Sequence, residues 1–346
     1  MASLPTPRVV IDETIVRANI DRMASFARAS GIALRPHVKT HKSVALARLQ
    51  LEAGAVGITV ATIGEAEVFA EAGFDDIFIA YPLWADESNE RRLRALAERI
   101  RLRVGVASGA GARRLAERAP GLEVAVEVDS GHHRTGAAPH AAGDIAGTAA
   151  DAGLRVAGVF TFPGHGYRPG GIGDAVRQES AALAEARSSA EARGIEVRLL
   201  SGGSTPTAVH ADATVLTEVR PGIYLFNDAQ QVLLDACRAD DVALTVEATI
   251  VFSSATHAVA NAGSKMLGAD RQDWTDGYGR IDGRPDARIT ALSEHHATIV
   301  GTDLREGDRI RILPNHVCTV VNLADELWVE HGSVERIAVD ARGRNA

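Results

Sequence analysis

The chain has 346 residues, 46% of them hydrophobic, enough to bury the core of one large domain or two ordinary ones. Its formal net charge is −8 and its basic residues are interspersed with acids, so nucleic-acid binding has no electrostatic support. Two cysteines, no apolar signal segment and no apolar run near the ~20 residues of a membrane span lead us to expect a soluble, cytoplasmic protein without a disulfide framework.

After a short β-branched run at 8–12, strand-like segments fall at 34–39, 56–61, 76–81, 102–107, 123–129, 156–162, 196–200 and 218–225. Amphipathic helical stretches separate most of them, at 42–53, 64–73, 86–98, 109–119, 140–152 and 174–193. Strand–helix alternation implies parallel strands with right-handed crossovers. Eight units in this length match a (β/α)₈ TIM barrel over 13–240; a doubly wound open sheet is the competing arrangement. Beyond Asp240 the strand-like runs continue at 244–253, 257–262, 288–300, 308–313, 326–330 and 335–339, with almost no helical pattern. Turn signals such as Asp282-Gly283 separate them, so 241–346 reads as an all-β domain, with the strand in 1–12 able to join it.

In a barrel, chemistry belongs at the C-terminal ends of the strands. There, Arg35-Pro36-His37-Val38-Lys39-Thr40-His41-Lys42 places a lysine at a strand end, where burial and cationic neighbours favour a neutral amine able to attack an aldehyde. A solvated basic loop is the alternative. Glu127-Val128-Asp129-Ser130-Gly131-His132-His133-Arg134-Thr135-Gly136 follows the fifth strand, and Pro163-Gly164-His165-Gly166-Tyr167 the sixth. Ser201-Gly202-Gly203-Ser204-Thr205 follows the seventh, where barrels often hold a phosphate on backbone N–H groups and hydroxyls; an ordinary glycine-rich turn is the alternative. In the β-domain, Pro314-Asn315-His316-Val317-Cys318 puts an imidazole and a thiol two apart, on one side of an extended segment. They could be two Zn²⁺ ligands leaving positions for water or substrate, with His295 and His296 as possible participants, or simply a buried cysteine beside a histidine. Gly109-Ala110-Gly111 lacks the third glycine of a dinucleotide fingerprint, Gly170-Gly171-Ile172-Gly173 follows no strand directly, and Cys237 reads as core.

Together these clusters resemble the fold-type III pyridoxal-phosphate (PLP) enzymes, and within them the D-threonine aldolase and D-serine dehydratase family, which have an alanine racemase-like barrel. The resemblance runs nearly end to end. It rests on Arg-Pro-His-x-Lys-x-His-Lys at 35–42, Glu-Val-Asp-x-Gly-x-x-Arg-x-Gly at 127–136, Gly-Gly-Ser-Thr at 202–205, Pro-Gly-x-Tyr at 221–224, Asn-Ala-Gly-Ser-Lys at 261–265, and Pro-Asn-His-x-Cys with Asn322-Leu323 downstream. It implies that Lys39 binds the cofactor as a Schiff base and that Arg134 sits near its phenolic oxygen. His165 is implied to lie by the ring as a catalytic group, with Tyr167 beside it. Gly202, Gly203, Ser204, Thr205 and Tyr224 would hold the phosphate, and Arg220 would face the pyridine nitrogen. His316 and Cys318 would bind a divalent metal, with zinc expected and manganese the alternative. A homodimer whose β-domains complete the partner's site is also implied. Two departures from the family pattern, Asn261 for an aspartate and His295-His296-Ala297 for Glu-His-Gly, bear on the substrate more than on the cofactor.

The activity implied is that of a lyase on a D-β-hydroxy-α-amino acid. Loss of the β-hydroxyl proton would cleave Cα–Cβ, as in an aldolase. Removal of the α-proton by Lys39 with loss of the hydroxyl would make a dehydratase, toward which His-x-Cys leans. An amino-acid racemase on the same plan, or a non-catalytic PLP-binding protein, are the rival readings.

Overall fold

A computed structural model describes residues 4–332 and 335–346. The chain forms two compact units: one of 22–39, 47–222 and 343–346, the other of 1–21, 40–46 and 223–342. These differ from the expected division at 240/241, because residues 13–21, 40–46 and 223–240 pack with the second unit. The chain opens with β1 (Arg8–Asp12) and α1 (Glu13–Ser30), a helix absent from the sequence expectation and shared between the units.

The first unit is a parallel barrel. Its strands are β2 (Ala33–Leu34), β3 (Ile58–Val60), β4 (Asp76–Pro82), β5 (Arg101–Val106), β6 (Glu123–Glu127), β7 (Arg155–Phe160), β8 (Leu199–Gly202) and β9 (Glu218–Val219). They hydrogen-bond in the order β2-β9-β8-β7-β6-β5-β4-β3. The ring closes just beyond β2, where Thr59 N–H donates to Pro36 O at 2.8 Å and His37 bridges Thr59 in parallel. Between the strands run α2 (Val44–Glu52), α3 (Ile63–Glu71), α4 (Glu87–Arg99), α5 (Gly109–Arg118), α6 (Ala142–Asp151), α7 (Ile172–Glu191) and the four-residue α8 (Thr205–Ala208).

Local chemistry explains several helix starts. Thr62, Asp86 and Ser108 each accept a backbone N–H of the first turn, satisfying donors the helix cannot. In β7, Gly158 has φ +152°, and a Cβ there would collide with the Leu199 backbone, so glycine lets β8 close on β7. Most strands are somewhat shorter than expected, β2 and β9 most of all. Lys39 stands in a 3-10 turn (Val38–Thr40) past β2, not at a strand end; the last ladder bonds are made at Pro36 and His37, whose N–H donates to Pro221 O at 3.0 Å. The run at 218–225 forms only β9 before a second 3-10 turn (Ile223–Leu225), with Pro221 between.

The second unit is mostly antiparallel: β10 (Leu244–Ser253), β11 (Ala258–Ala260), β12 (Gly279–Ile281), β13 (Arg288–Leu292), β14 (Ala297–Val300), β15 (Arg309–Pro314), β16 (Glu326–Glu330) and β17 (Arg336–Ala338). The main sheet runs β13-β14-β11-β10-β1-β16-β17, and β15 pairs with both β10 and β12. β1 is antiparallel to β10 and parallel to β16. The segment 288–300 is a hairpin whose turn holds the exposed His295 and His296. This unit also carries α9 (Ala229–Leu233), α10 (Ser264–Leu267) and α11 (Val317–Leu323). The last corrects the extended reading of 314–318: His316 is the N-cap and Cys318 lies in the first turn of α11. No helix among the described residues is long and apolar enough to cross a membrane.

Candidate cofactor and metal sites

In the barrel unit, the expected site residues gather around an aromatic ring that sequence reasoning did not single out. Phe162 follows β7 by two residues. Lys39 Nζ lies 5.8 Å and the Arg134 guanidinium 5.1 Å from its centroid. His132 meets the same ring edge-on at 5.5 Å, and Tyr167 is tilted against it at 6.2 Å. A ring face attracts cations, so Phe162 gathers the lysine and the arginine at the mouth of the barrel. His165 is placed differently: its ring packs against the Gly131 turn, where a Cβ would come within 3.3 Å of it. Burial, followed by nearby cations such as Arg168, holds the His165 imidazolium below its ordinary range.

Beneath this cluster lies a charged barrel interior. Arg35 pairs with Glu218 and with Asp76, both at 2.7 Å, and Glu218 also accepts the Ser201 hydroxyl at 2.6 Å. Burial alone would raise the Glu218 acid, but Arg35, Ser201 and Arg103 together outweigh it and hold the carboxyl below its usual value. Arg220 donates to Thr161 O at 2.6 Å and to Ser201 Oγ, and its guanidinium packs over Phe78 and Phe160. Burial pulls its pKa down to about 10, against the pull of Glu218. Glu127 accepts from Thr135 at 2.9 Å; burial raises its acid, and its Oε2 has no partner among the described residues. His37 is kept neutral by burial and by Lys39 and Arg220, and its enclosed Nδ1 is likewise unpartnered. Three cations, Lys39, Arg134 and Arg220, lie beside these unpartnered groups, and buried polar groups rarely lack partners; the cations fit a site that takes an anionic ring, with Lys39 as an amine able to take up an aldehyde.

The glycine-rich turn after β8 has a defined shape. Gly203, at φ +74°, donates its N–H to Glu179 of α7 at 2.7 Å. Ser204 N–H donates to Thr207 Oγ1 at 2.8 Å, and the two hydroxyl oxygens are 2.9 Å apart. Ser204 and Thr205 bring hydroxyls to this turn, the residue types suited to meet a phosphate. Tyr224, expected to share that task, is buried in the second unit.

The second unit brings His316 and Cys318 together with a third residue, Asp228. This fully buried carboxylate caps α9 through Gln231 N–H at 2.9 Å, accepts Val317 N–H at 3.2 Å, and lies 3.5 Å from His316 Nδ1. Burial opposes charge on His316, yet the Cys318 thiolate and the Asp228 carboxylate raise its imidazolium well above the ordinary range. Cys318 Sγ is 3.4 Å from Thr40 Oγ1, and Asn322, one turn along α11, accepts from Lys42 Nζ at 2.8 Å. No cluster of three or more His, Cys, Asp or Glu suited to a metal occurs among the described residues. The donor set is therefore two: a carboxylate-oriented imidazole and a thiol. This fits a divalent ion that keeps its other positions for water or substrate. His295 and His296 are exposed in their hairpin turn, and no contact ties them to this pair among the described residues.

Three residues of these sites escaped the sequence. Phe162 carried only a positional signal, the end of the sixth strand-like run. Asp228 reads as an ordinary helix cap, and Glu179 as one acid among many on a helix.

Comparisons with known proteins agree with this arrangement. Residues 11–230 match the alanine racemase N-terminal domain, and 243–330 match a putative serine dehydratase domain. The chain is 36% identical to the D-threo-3-hydroxyaspartate dehydratase of Delftia sp. (strain HT23), over 92% of each chain. A structure of a mutant D-threo-3-hydroxyaspartate dehydratase in the metal-free form superposes with a TM-score of 0.89, at 34% identity and over 97% of both chains. The D-threonine aldolase of Filomicrobium marinum superposes with a TM-score of 0.85, at 28% identity, over 98% of this chain and 95% of that one. With its racemase-type barrel, its Lys39 cluster and its serine dehydratase domain, the chain belongs to the fold-type III PLP enzymes of the D-threonine aldolase and D-serine dehydratase family.

Proposed function

We propose that the protein is a PLP- and divalent-metal-dependent dehydratase of D-3-hydroxy-α-amino acids, with D-threo-3-hydroxyaspartate the first substrate to test. The observation that carries this reading is the His316, Cys318 and Asp228 arrangement, a metal-donor set with a carboxylate behind the imidazole, in a chain that also carries the Lys39 cluster. A racemase has no need of such a set. Similarity to a dehydratase over nearly the whole chain supports the choice of elimination.

Bound at Lys39, PLP would supply an electron sink for charge released at Cα. A divalent ion at His316 and Cys318, zinc by donor chemistry and manganese next, would supply a Lewis acid for a β-hydroxyl. The chain's own residues divide the remaining work. Lys39, as a free amine, is the base for the α-proton. Phe162 supports Lys39 and Arg134 and keeps water from one side of them. Arg134 would hold the phenolic oxygen, and Arg220, held by Thr161 and Ser201, would serve the ring nitrogen. Ser204, Thr205 and Tyr224 would hold the phosphate, while His165 and Tyr167 would border the ring. Asp228, behind His316 Nδ1, would orient that imidazole as a metal ligand. The reading includes a homodimer, which light scattering on the purified protein tests, and a cytoplasmic location, which cell fractionation tests.

Retro-aldol cleavage is the second reading, favoured by the likeness to D-threonine aldolase. The deciding experiment supplies purified protein with PLP and Zn²⁺ or Mn²⁺, and offers D-threo-3-hydroxyaspartate, D-serine, D-threonine and their L-forms, with and without EDTA. Keto acid and ammonia from D-substrates, lost with EDTA, is the expected result. Glycine plus an aldehyde makes the enzyme an aldolase. EDTA-resistant exchange of the α-proton makes it a racemase, and bound PLP with no turnover makes it a carrier.

A further inference from the structure

The buried charges of the barrel unit differ in what they bind. Arg35, Glu218 and Arg220 pair with one another or with Ser201. Glu179 does not. It lies midway along α7 with no exposed surface, and its Oε1 takes the backbone N–H of Gly203 at 2.7 Å. Its Oε2 is equally enclosed and has no hydrogen-bond partner among the described residues. Burial raises its acid to about 7. A helix that could place an alanine here instead buries a carboxyl, which is costly without return.

The surroundings show what the carboxyl does. A Cβ on Gly202 would run into Glu179 Oε1, so the glycine and the acid are fitted to each other. Gly203 holds φ +74°, a conformation that favours glycine, while its N–H is committed to Glu179. The next N–H, of Ser204, is committed to Thr207. The backbone of the turn is thus fixed from behind, before any anion arrives, and its shape sets where Ser204 and Thr205 stand.

We propose that Glu179 is a positioning residue for phosphate recognition, acting from α7 on the backbone of Gly202 and Gly203 so that Ser204 and Thr205 receive the cofactor's phosphate. This rests on the reading of that turn as the phosphate site. The test compares PLP with pyridoxal, which lacks the phosphate, by titrating the visible band of the lysine-bound form in the full-length protein. Glu179→Met keeps the volume and removes the acceptor; Glu179→Gln keeps an acceptor for Gly203 N–H. The preference for PLP over pyridoxal should fall about tenfold in the Met variant and stay within about twofold of wild type in the Gln variant. A role confined to barrel stability would weaken both ligands alike and leave the ratio unmoved, overturning the proposal. So would a Gln variant as impaired as Met. Thermal melting accompanies each titration; if Met fails to fold, Gln with an unchanged ratio beside Glu179→Ala with a reduced one gives the same support. Wild-type protein that shows no preference for PLP would instead overturn the phosphate reading of the turn, a separate failure visible before any variant is made.

Discussion

Asp228→Asn tests the proposed metal site at the one partner of His316 that the fold supplies. The carboxylate has no exposed surface and serves three groups: Oδ1 accepts Gln231 N–H at 2.9 Å, Oδ2 accepts Val317 N–H at 3.2 Å, and Oδ2 lies 3.5 Å from His316 Nδ1. Asparagine matches the volume but has one acceptor oxygen. If that oxygen caps α9, the amide NH₂ faces Val317 N–H and His316 Nδ1, donor against donor. Loss of such an orienting partner costs about 10–100-fold in metal affinity, or about 1.4–2.8 kcal/mol. A second effect works the other way. Against burial, Cys318 and Asp228 raise the His316 imidazolium well above its ordinary range, so the metal-free site holds a proton that the ion must displace. Without the carboxylate that proton is held less tightly, so the net loss should lie near the lower end of the range. The assay is the apparent Kd for Zn²⁺ by competition with a chromophoric chelator, with circular dichroism as the check on folding. In wild type the affinity should climb with pH until the raised His316 value is passed, with proton release on binding at pH 7. In the variant the slope should be shallower. An unchanged Kd together with unchanged proton release would refute the orienting role.

Lys39→Ala should abolish the visible band of bound PLP, whereas Lys42→Ala should keep it, since Lys42 Nζ is engaged with Asn322; a persistent band in the Lys39 variant would move the assignment. Cys318→Ala should lose metal and turnover while retaining the PLP band, read by elemental analysis and absorbance on one sample. Glu218→Ala leaves Arg35 with only Asp76 and should destabilise the barrel by about 3–5 kcal/mol in denaturant unfolding. The folded-state pKa of Glu218 is depressed, so its contribution is present above the ordinary carboxyl value and lost as pH falls through the folded one; the wild-type–variant gap should narrow in acid.

Much of the architecture was legible because periodicity reports burial directly. Strands alternating with amphipathic helices, then strands with almost no helical pattern, made the barrel and the β-domain legible, though not the exact boundary between them. Short local determinants blurred the ends. The ladder beside β2 ends at His37, which puts Lys39 on a 3-10 turn, and α11 begins at the His-x-Cys motif where alternation suggested a strand. The candidate donors Lys39, Arg134, His316 and Cys318 stood out through motifs that resemble one family; residue type and spacing alone left a solvated loop or a buried cysteine open.

What the sequence alone determined was therefore the order of elements and the family, since both follow from local pattern and motif; it offered candidates for the reactive groups. Only the tertiary structure decided which groups serve them. Phe162 lies 123 residues from the lysine it supports, Glu179 lies 24 residues from the glycine it holds, and Asp228 lies 88 residues from the histidine it faces. No local pattern records such partners, because their proximity depends on how strands and helices pack once the chain has closed.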